Sequence, residues 1–383
     1  MEIRKIRMGM VGGGKNAFIG AVHRMAAGID GQVELCCGAL SSDPVKAKES
    51  GQLLSLPEDR IYTDFREMIL RESELPADQR MHFVSIVTPN VAHFEPAMLA
   101  LEHGFHVLLE KPMTFSLKEA ELLQQKVSET GLLLCVTYTY SAYPMVKQAR
   151  QLVREGALGD IRKIMVEYPQ GWLSTLIENE SPLAAWRTDP AKGGLSSCMG
   201  DIGTHAAHLA EYISGLKITK VCADLRTVVA GRRLEDDGNV LLGFENEATG
   251  VLSASQVAAG EENALKIRIY GEKAGLEWNQ QDPNTLLLKP LNAPAQLFRA
   301  GQQYLSPLAQ HNSRLPAGHP EGYVEAFANI YRNFSGTILA KLNGTTPSEA
   351  LLDFPTVEDG TRGMKFIETV IASGQSSQKW TVF

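Results

Sequence analysis

The feature that most restricts this chain is a rhythm in its first 140 residues, where short continuously apolar runs alternate with segments whose apolar residues recur at helical spacing. Ile6–Val11, Val33–Leu40, Phe83–Thr88, Phe105–Leu109 and Leu132–Val136 read as strands. Phe18–Ala27, Pro44–Glu49 and Val91 to the stop at Gly104 read as helices, and a further one is marked by an S-x-x-E box at Ser116 and Glu119 and a closing Gly131. Strands that are apolar on both faces need cover on both faces, which a parallel sheet between two helical layers supplies. The expected fold is α/β, with residues 1–138 forming an N-terminal domain on this sheet.

The turn after the first strand reads GMVGGGKNAFIG. Taken alone it fits a flexible turn as well as a nucleotide cradle. At the first strand-to-helix junction of such a sheet, Gly12 and Gly14 let backbone N–H groups and the positive helix end approach a pyrophosphate. The third small residue has two readings. Ala17 completes G-x-G-x-x-A, whereas Gly20 fits a loop longer by three residues; the longer loop is preferred, with Ile19, Gly20 and His23 opening the helix.

After Tyr140 the pattern changes. A helix from Pro144 to Glu155 precedes strand-like Ile161–Tyr168, Lys220–Val229, Val240–Phe244, Gly250–Val257 and Leu265–Tyr270, and FENEATGVL reads as a hairpin with Glu245, Asn246 and Glu247 at its tip. Short turns between neighbouring strands imply an antiparallel sheet. Gln280–Gly322 is rich in Pro, Asn, Gln and Gly and is expected to be a functional loop; helices return over Tyr323–Phe334 and near the end. With 383 residues the chain is expected to form two domains, the second over 139–383.

Composition narrows the function. A net charge of −7 without a Lys/Arg run argues against nucleic acid, and no apolar stretch approaches the roughly 20 residues that span a bilayer. MEIRKIRMGM lacks the pattern of a secretory leader. Cys36, Cys37, Cys135, Cys198 and Cys222 form no spaced pair, which fits reduced thiols. The expected compartment is the cytoplasm, with no membrane or nucleic-acid partner.

Two segments can carry chemistry. Glu110-Lys111-Pro112 closes a strand at its carboxyl end, where open α/β sheets bind ligands; the proline keeps Lys111 extended and aims it into the crevice, although a solvated strand-end lysine is the plain alternative. In GGLSSCMGDIGTHAAHLAEYISG, a helix starting near Gly200 would set Asp201 and His205 on one face, so that the carboxylate orients the imidazole, with His208 extending that face. Three such residues could also ligate a metal, but the spacing is not H-E-x-x-H and no cysteine accompanies it; no metal is assigned. A structural histidine on a buried helix face is the other alternative. A nicotinamide cradle with a Lys/Asp/His set makes oxidation of a secondary alcohol coherent, because a base takes the hydroxyl proton while hydride leaves carbon.

The glycine loop, Thr88-Pro89-Asn90 with His93, Glu110-Lys111-Pro112 and Asp201-Ile202-Gly203-Thr204-His205 together resemble the glucose-fructose oxidoreductase / inositol dehydrogenase / MocA (Gfo/Idh/MocA) family over nearly the whole chain. AFIGAVHR, WRTDP and GHPEGYVEAFANIY are most similar to its levoglucosan dehydrogenase-like sugar oxidoreductases. The resemblance implies a Rossmann domain followed by an α/β domain whose open, mainly antiparallel sheet makes a homo-oligomer, dimer or tetramer. It implies Lys111, His205 and Asp201 as catalytic residues that also meet substrate. It implies cofactor contacts from Gly12, Gly14, Ala17, Phe18, Ile19, Ser41, Asp43, Thr88, Asn90, His93, Glu110, Lys111, Trp186 and Arg187.

The expected substrate is a small cyclic sugar, anhydrosugar, glycoside or inositol, with Trp172, Trp186 and His319 on the substrate side; core packing is the alternative for each tryptophan. The chain departs from NAD-using relatives after the second strand, where Ser41 and Ser42 stand and Asp43 is displaced. NAD is expected, with NADP possible: Asp43 would repel a 2′-phosphate, while Lys46 speaks for one. A non-catalytic NAD(P)-binding sensor and a cofactor-dependent glycoside-cleaving enzyme are the alternatives on this fold. A sensor has no chemical need for Lys111, Asp201 and His205 together.

Overall fold

The computed structural model describes residues 5–383, so the first four residues of the stretch read for a leader lie outside it. The chain forms two compact units. The first runs to Thr137 and adds Tyr323–Thr361; the second comprises Tyr138–Gly322 and Arg362–Phe383.

In the first unit β1 (Ile6–Gly12), β2 (Val33–Ala39), β3 (Phe83–Val87), β4 (His106–Leu109) and β5 (Leu134–Val136) make one sheet in the order β2-β1-β3-β4-β5, and every pairing is parallel. All five side chains of β3 are buried, as a strand covered on both faces must be. The order reverses at β1, so the carboxyl ends of β1 and β3 form the switch point where such sheets hold ligands. Ser116 accepts from the Glu119 N–H, and Gly131 ends that helix in the left-handed region at φ 65°.

The helix Tyr323–Leu342 belongs to this first unit although it follows the second in sequence. Arg332 fixes it to Asp30 with bonds of 3.1 and 2.7 Å, and its Phe327, Tyr331 and Phe334 are fully buried. Two sequence-continuous domains therefore do not describe this segment: its apolar face is buried against the helix Phe18–Gly28.

The second unit is built on nine strands: β6 (Ile161–Pro169), β7 (Ile218–Arg226), β8 (Asp237–Phe244), β9 (Thr249–Ser255), β10 (Lys266–Gly271), β11 (Ala274–Asn279), β12 (Thr285–Pro290), β13 (Gln296–Arg299) and β14 (Trp380–Val382). Their order is β13-β12-β11-β10-β6-β9-β8-β7-β14, antiparallel except for the β6/β9 pair. Along β6, Ile164, Val166 and Tyr168 are buried while Met165 and Glu167 are half-exposed, the alternation of a sheet with one covered face. The hairpin at Glu245–Glu247 joins β8 to β9.

The stretch Gln280–Gly322 is not the irregular loop its composition suggests. It contains β12, β13 and the helix Pro307–His311. Leu286 and Leu288 are buried and pair with β11, so cross-strand packing decides the conformation against the local turn-forming residues.

Candidate functional site

In the first unit the glycine loop is shaped by close approach. Gly12 and Gly13 have φ of 79° and 72°, where a side chain is strained. A Cβ at Gly14 would stand 2.7 Å from the Leu40 carbonyl oxygen, and one at Gly20 would stand 2.3 Å from Gly13 Cα. Gly20 is thus the third close-packing glycine, which resolves the two sequence readings toward the longer loop. Ala17 is the N-cap residue, extended and without a side-chain cap, and Phe18 and Ile19 open the helix, Phe18 exposed and Ile19 half-buried. Arg24 ties the helix back to the loop through the Gly13 carbonyl at 2.6 Å. A backbone cradle that no Cβ could enter, at a helix N-terminus, fits a dinucleotide pyrophosphate.

After β2 the half-buried Ser41 accepts from the Asp43 N–H at 3.1 Å. The exposed Asp43 uses Oδ1 to accept from the N–H groups of Val45 and Lys46 at 2.9 and 3.1 Å, capping the helix Pro44–Leu53. One carboxylate oxygen expected at a ribose is therefore committed to a helix end. Thr88 Oγ1 donates to the Ala92 carbonyl at 3.0 Å, and Asn90 is buried. His93 is fully buried, with Nδ1 3.0 Å from the Pro112 carbonyl oxygen and Nε2 2.8 Å from that of Thr88. The ring braces the end of β3 against the turn after β4, with both nitrogens turned toward protein carbonyls. Burial pushes its pKa down.

Lys111 lies two residues past β4, half-buried, with a cis peptide to Pro112. Glu110 before it is buried; Oε2 accepts the Lys111 N–H at 3.1 Å and Oε1 lies 2.8 Å from His23 Nε2. Burial alone raises the Glu110 carboxyl, but the His23 hydrogen bond and the charges of His23 and Lys111 more than reverse this and hold it below the usual carboxylate range. Glu110 therefore supports the lysine backbone.

In the second unit Asp201 does not sit on a continuous α-helix with His205. Met199–Gly203 forms a π-helical turn and the α-helix begins at Thr204. The wide turn is held from beneath by the buried Glu235, which accepts from the Met199 N–H at 3.0 Å and from the Ser196 hydroxyl, while Ser196 Oγ accepts from the Gly200 N–H at 2.7 Å. Burial pushes the Glu235 carboxyl up against the pull of those bonds.

The Asp201 carboxylate is gripped from two sides: Arg187 pairs with Oδ1 and Gln256 donates to Oδ2 at 2.9 Å. Arg187, expected at the cofactor, is thus an anchor of Asp201 in the unit that carries His205. Its guanidinium also lies over the half-buried Trp186 ring at 4.9 Å.

His205 is buried among three tyrosine rings, edge-on to Tyr138 and Tyr140 at 5.6 and 4.8 Å and tilted to Tyr168 at 6.4 Å. Tyr138 also hydrogen-bonds Thr204 at 2.8 Å and stacks on His208 at 4.3 Å, which gives that histidine a packing role. Tyr140 donates to Tyr168, Tyr168 donates to Asn263 Oδ1 at 2.7 Å, and Asn263 Nδ2 donates to Tyr140 at 3.1 Å. Burial keeps the Tyr140 hydroxyl protonated, its bonds to Asn263 and Tyr168 oppose this, and the Asp201 charge adds to burial. The polar chain continues from Asn263 through Gln170 to Trp172 Nε1, at 2.7 and 3.0 Å. Trp172 is half-buried at its end. His319 is exposed and bonds the Pro316 carbonyl at 3.2 Å.

Tyr140, Tyr168, Asn263, Gln256 and Glu235 escape sequence reading because they come from separate strands and loops. A polar residue at a strand end, as in SASQVAAG, is the only local signal. Among the described residues, metal-type ligand atoms gather within 4.8 Å of one another at Cys36, Cys37 and Glu72, where Arg60, Tyr62 and the Met81 N–H already hold the carboxylate.

A parallel sheet with a glycine cradle at its switch point, followed by a mixed-sheet unit whose π-turn and helix carry Asp201 and His205, defines an NAD-binding two-unit oxidoreductase. Residues 6–138 match the oxidoreductase family, NAD-binding Rossmann fold, and residues 146–277 match the GFO/IDH/MocA C-terminal domain. The chain belongs to the Gfo/Idh/MocA family. It is 34% identical to the oxidoreductase YfiI of Bacillus subtilis over 99% of this chain and 97% of that protein. An inositol dehydrogenase homolog from Azotobacter vinelandii, solved with NAD+, shares 35% identity at a TM-score of 0.94, with 99% of this chain and 98% of that one covered; the same homolog has been solved with NADH and myo-inositol. Levoglucosan dehydrogenase of Pseudarthrobacter phenanthrenivorans is 27% identical over 73% of this chain and 75% of its own. No helix among the described residues is long and apolar enough to cross a membrane.

Proposed function

We propose that this enzyme oxidises a secondary hydroxyl of a cyclic polyol or sugar with NAD+. The observation that carries the reading is His205, a buried imidazole set among tyrosine rings four residues from an Asp201 carboxylate that Arg187 and Gln256 hold in place. Bound NAD+ supplies the hydride acceptor. Lys111 polarises the hydroxyl, and His205 takes its proton, a task suited to a group whose unperturbed pKa is about 6.5. The hydroxyl and amide chain from Tyr140 and Tyr168 through Asn263 and Gln170 to Trp172 offers donors, acceptors and an aromatic face, which suits a polyhydroxylated ring.

NADH formation with inositols, pyranoses and anhydrosugars tests the reading, together with Lys111→Ala, His205→Ala and the double variant. Each single variant should lose about 10²- to 10⁴-fold in kcat, with the double little worse than the poorer single one. A near-normal kcat in either refutes its role, and release of an aglycone from glycosides would favour the cleaving reaction instead.

The assembly we propose is a homo-oligomer through the uncovered face of the nine-stranded sheet. Register places Trp380, Cys222, Leu241, Val251 and Met165 in one row across five adjacent strands, each half-buried or exposed. Trp380 and Leu241 are both 47% exposed, and such a row supports burial against a second copy.

A further inference from the structure

We infer that His23, held by Tyr331 and Ser85, is a positioning residue that aims Lys111 through the Glu110 carboxylate. The inference rests on the reading of Lys111 as the group that meets the hydroxyl.

Four polar side chains meet in the interior of the first unit. His23 and Ser85 are wholly inaccessible, and Tyr331 and Glu110 nearly so. His23 Nε2 lies 2.8 Å from Glu110 Oε1, and Nδ1 lies 2.7 Å from the Tyr331 hydroxyl and 3.2 Å from Ser85 Oγ, while that hydroxyl and Oγ are 3.0 Å apart. Donors and acceptors match throughout the set, with Nε2–H given to the carboxylate and Nδ1 shared with the two hydroxyls. Phe327 packs edge-on against the imidazole at 4.6 Å, so the ring cannot swing away.

Stability does not call for this arrangement, since a well-packed apolar cluster of equal volume is usually as stable as a buried ionic network. What the network does is determine where Glu110 points. Its second oxygen accepts the Lys111 N–H at 3.1 Å, so the chain of bonds ends on the backbone of the lysine. The set joins the helix after the glycine loop, the middle of β3 and the helix Tyr323–Leu342 to Glu110, so the lysine is fixed by three elements distant in sequence.

The charged and titratable groups facing this set are Lys111 and His93 beside Glu110, and Arg24 and Cys135 beside Tyr331. Without the His23 bond and charge, the buried carboxyl rises and takes up a proton on acidification, which weakens it as the acceptor for the Lys111 N–H.

The test compares His23→Leu, Tyr331→Phe and His23→Gln with Lys111→Ala, reading kcat, KM, NAD+ Kd and the pH profile on one active substrate. His23→Leu should lower kcat about 10- to 100-fold, with NAD+ Kd within about threefold and a deficit that widens as pH falls. His23→Gln, which restores a donor to Glu110, should recover most of the loss, and Tyr331→Phe should fall between. Wild-type kcat and pH profile in folded His23→Leu overturn the inference; if that variant does not fold, the same result in Tyr331→Phe does so. Normal kcat in Lys111→Ala means the reading of the lysine fails. Loss there, with intact His23 and Tyr331 variants, means that only the positioning role fails.

Discussion

Replacing Gly20 by alanine tests the loop geometry directly. The new Cβ would lie 2.3 Å from Gly13 Cα and 2.5 Å from the Gly13 carbonyl oxygen, where ordinary contact begins at 3.4 Å. Both obstacles are backbone, so no side chain can turn aside; the helix and the loop must part by about 1 Å, an overpacking strain of about 1–3 kcal/mol. Alanine returns about 1 kcal/mol of helix propensity, leaving a net loss of about 0–2 kcal/mol. Ligand binding should suffer more than stability, because a cradle displaced by that distance misplaces several N–H donors at once; about a 100-fold rise in NAD+ Kd is expected. Gly28, at the other end of the same helix, is the control. A Cβ there meets nothing within 4 Å, so Gly28→Ala should gain about 0.5–1 kcal/mol and leave Kd unchanged. Calorimetric titration with NAD+ and urea unfolding read both effects. Wild-type Kd in Gly20→Ala, or equal behaviour of the two variants, would refute the close-packing argument.

Asp43→Ala should lose about 1 kcal/mol of capping and narrow the preference for NAD over NADP, as seen in kcat/KM for the two cofactors; an unchanged ratio removes Asp43 from cofactor choice. Arg187→Met, which frees Asp201 from its cation, should lower kcat about tenfold or more while NAD+ Kd holds; a Kd effect alone would return Arg187 to the cofactor. His106 is pushed down to about 4, first by burial and then by the charges of Lys341 and His82. Its folded pKa is depressed, so the stability it contributes is present above about 6.5 and is lost as pH falls toward 4; His106→Gln should flatten that part of a urea-midpoint profile, and an unflattened one contradicts the assignment. Leu241→Glu in the sheet row should yield monomers in light scattering, and an unchanged mass would exclude this face.

What the sequence alone determines here is whatever depends on neighbours along the chain. The parallel sheet is legible because burial on both faces demands continuous apolar runs, and the cap at Ser116 and the stop at Gly131 are legible because a helix end is satisfied locally. Lys111 and His205 stand out because their motifs are short and contiguous. The tertiary structure decides what depends on distant partners. A carboxylate at position 43 is readable, but its use as a helix cap follows from the path of the chain after β2. The spacing of Asp201 and His205 suggests one α-helical face, yet Glu235 and Ser196 hold the N–H groups that let a π-turn form there. Tyr323–Thr361 joins the first unit because Tyr331, Phe334 and Arg332 find partners about 250 to 300 residues earlier, at His23, Phe83 and Asp30. Hydrogen bonds and packing act through space, so a residue whose partner lies far along the chain carries no local pattern that announces it.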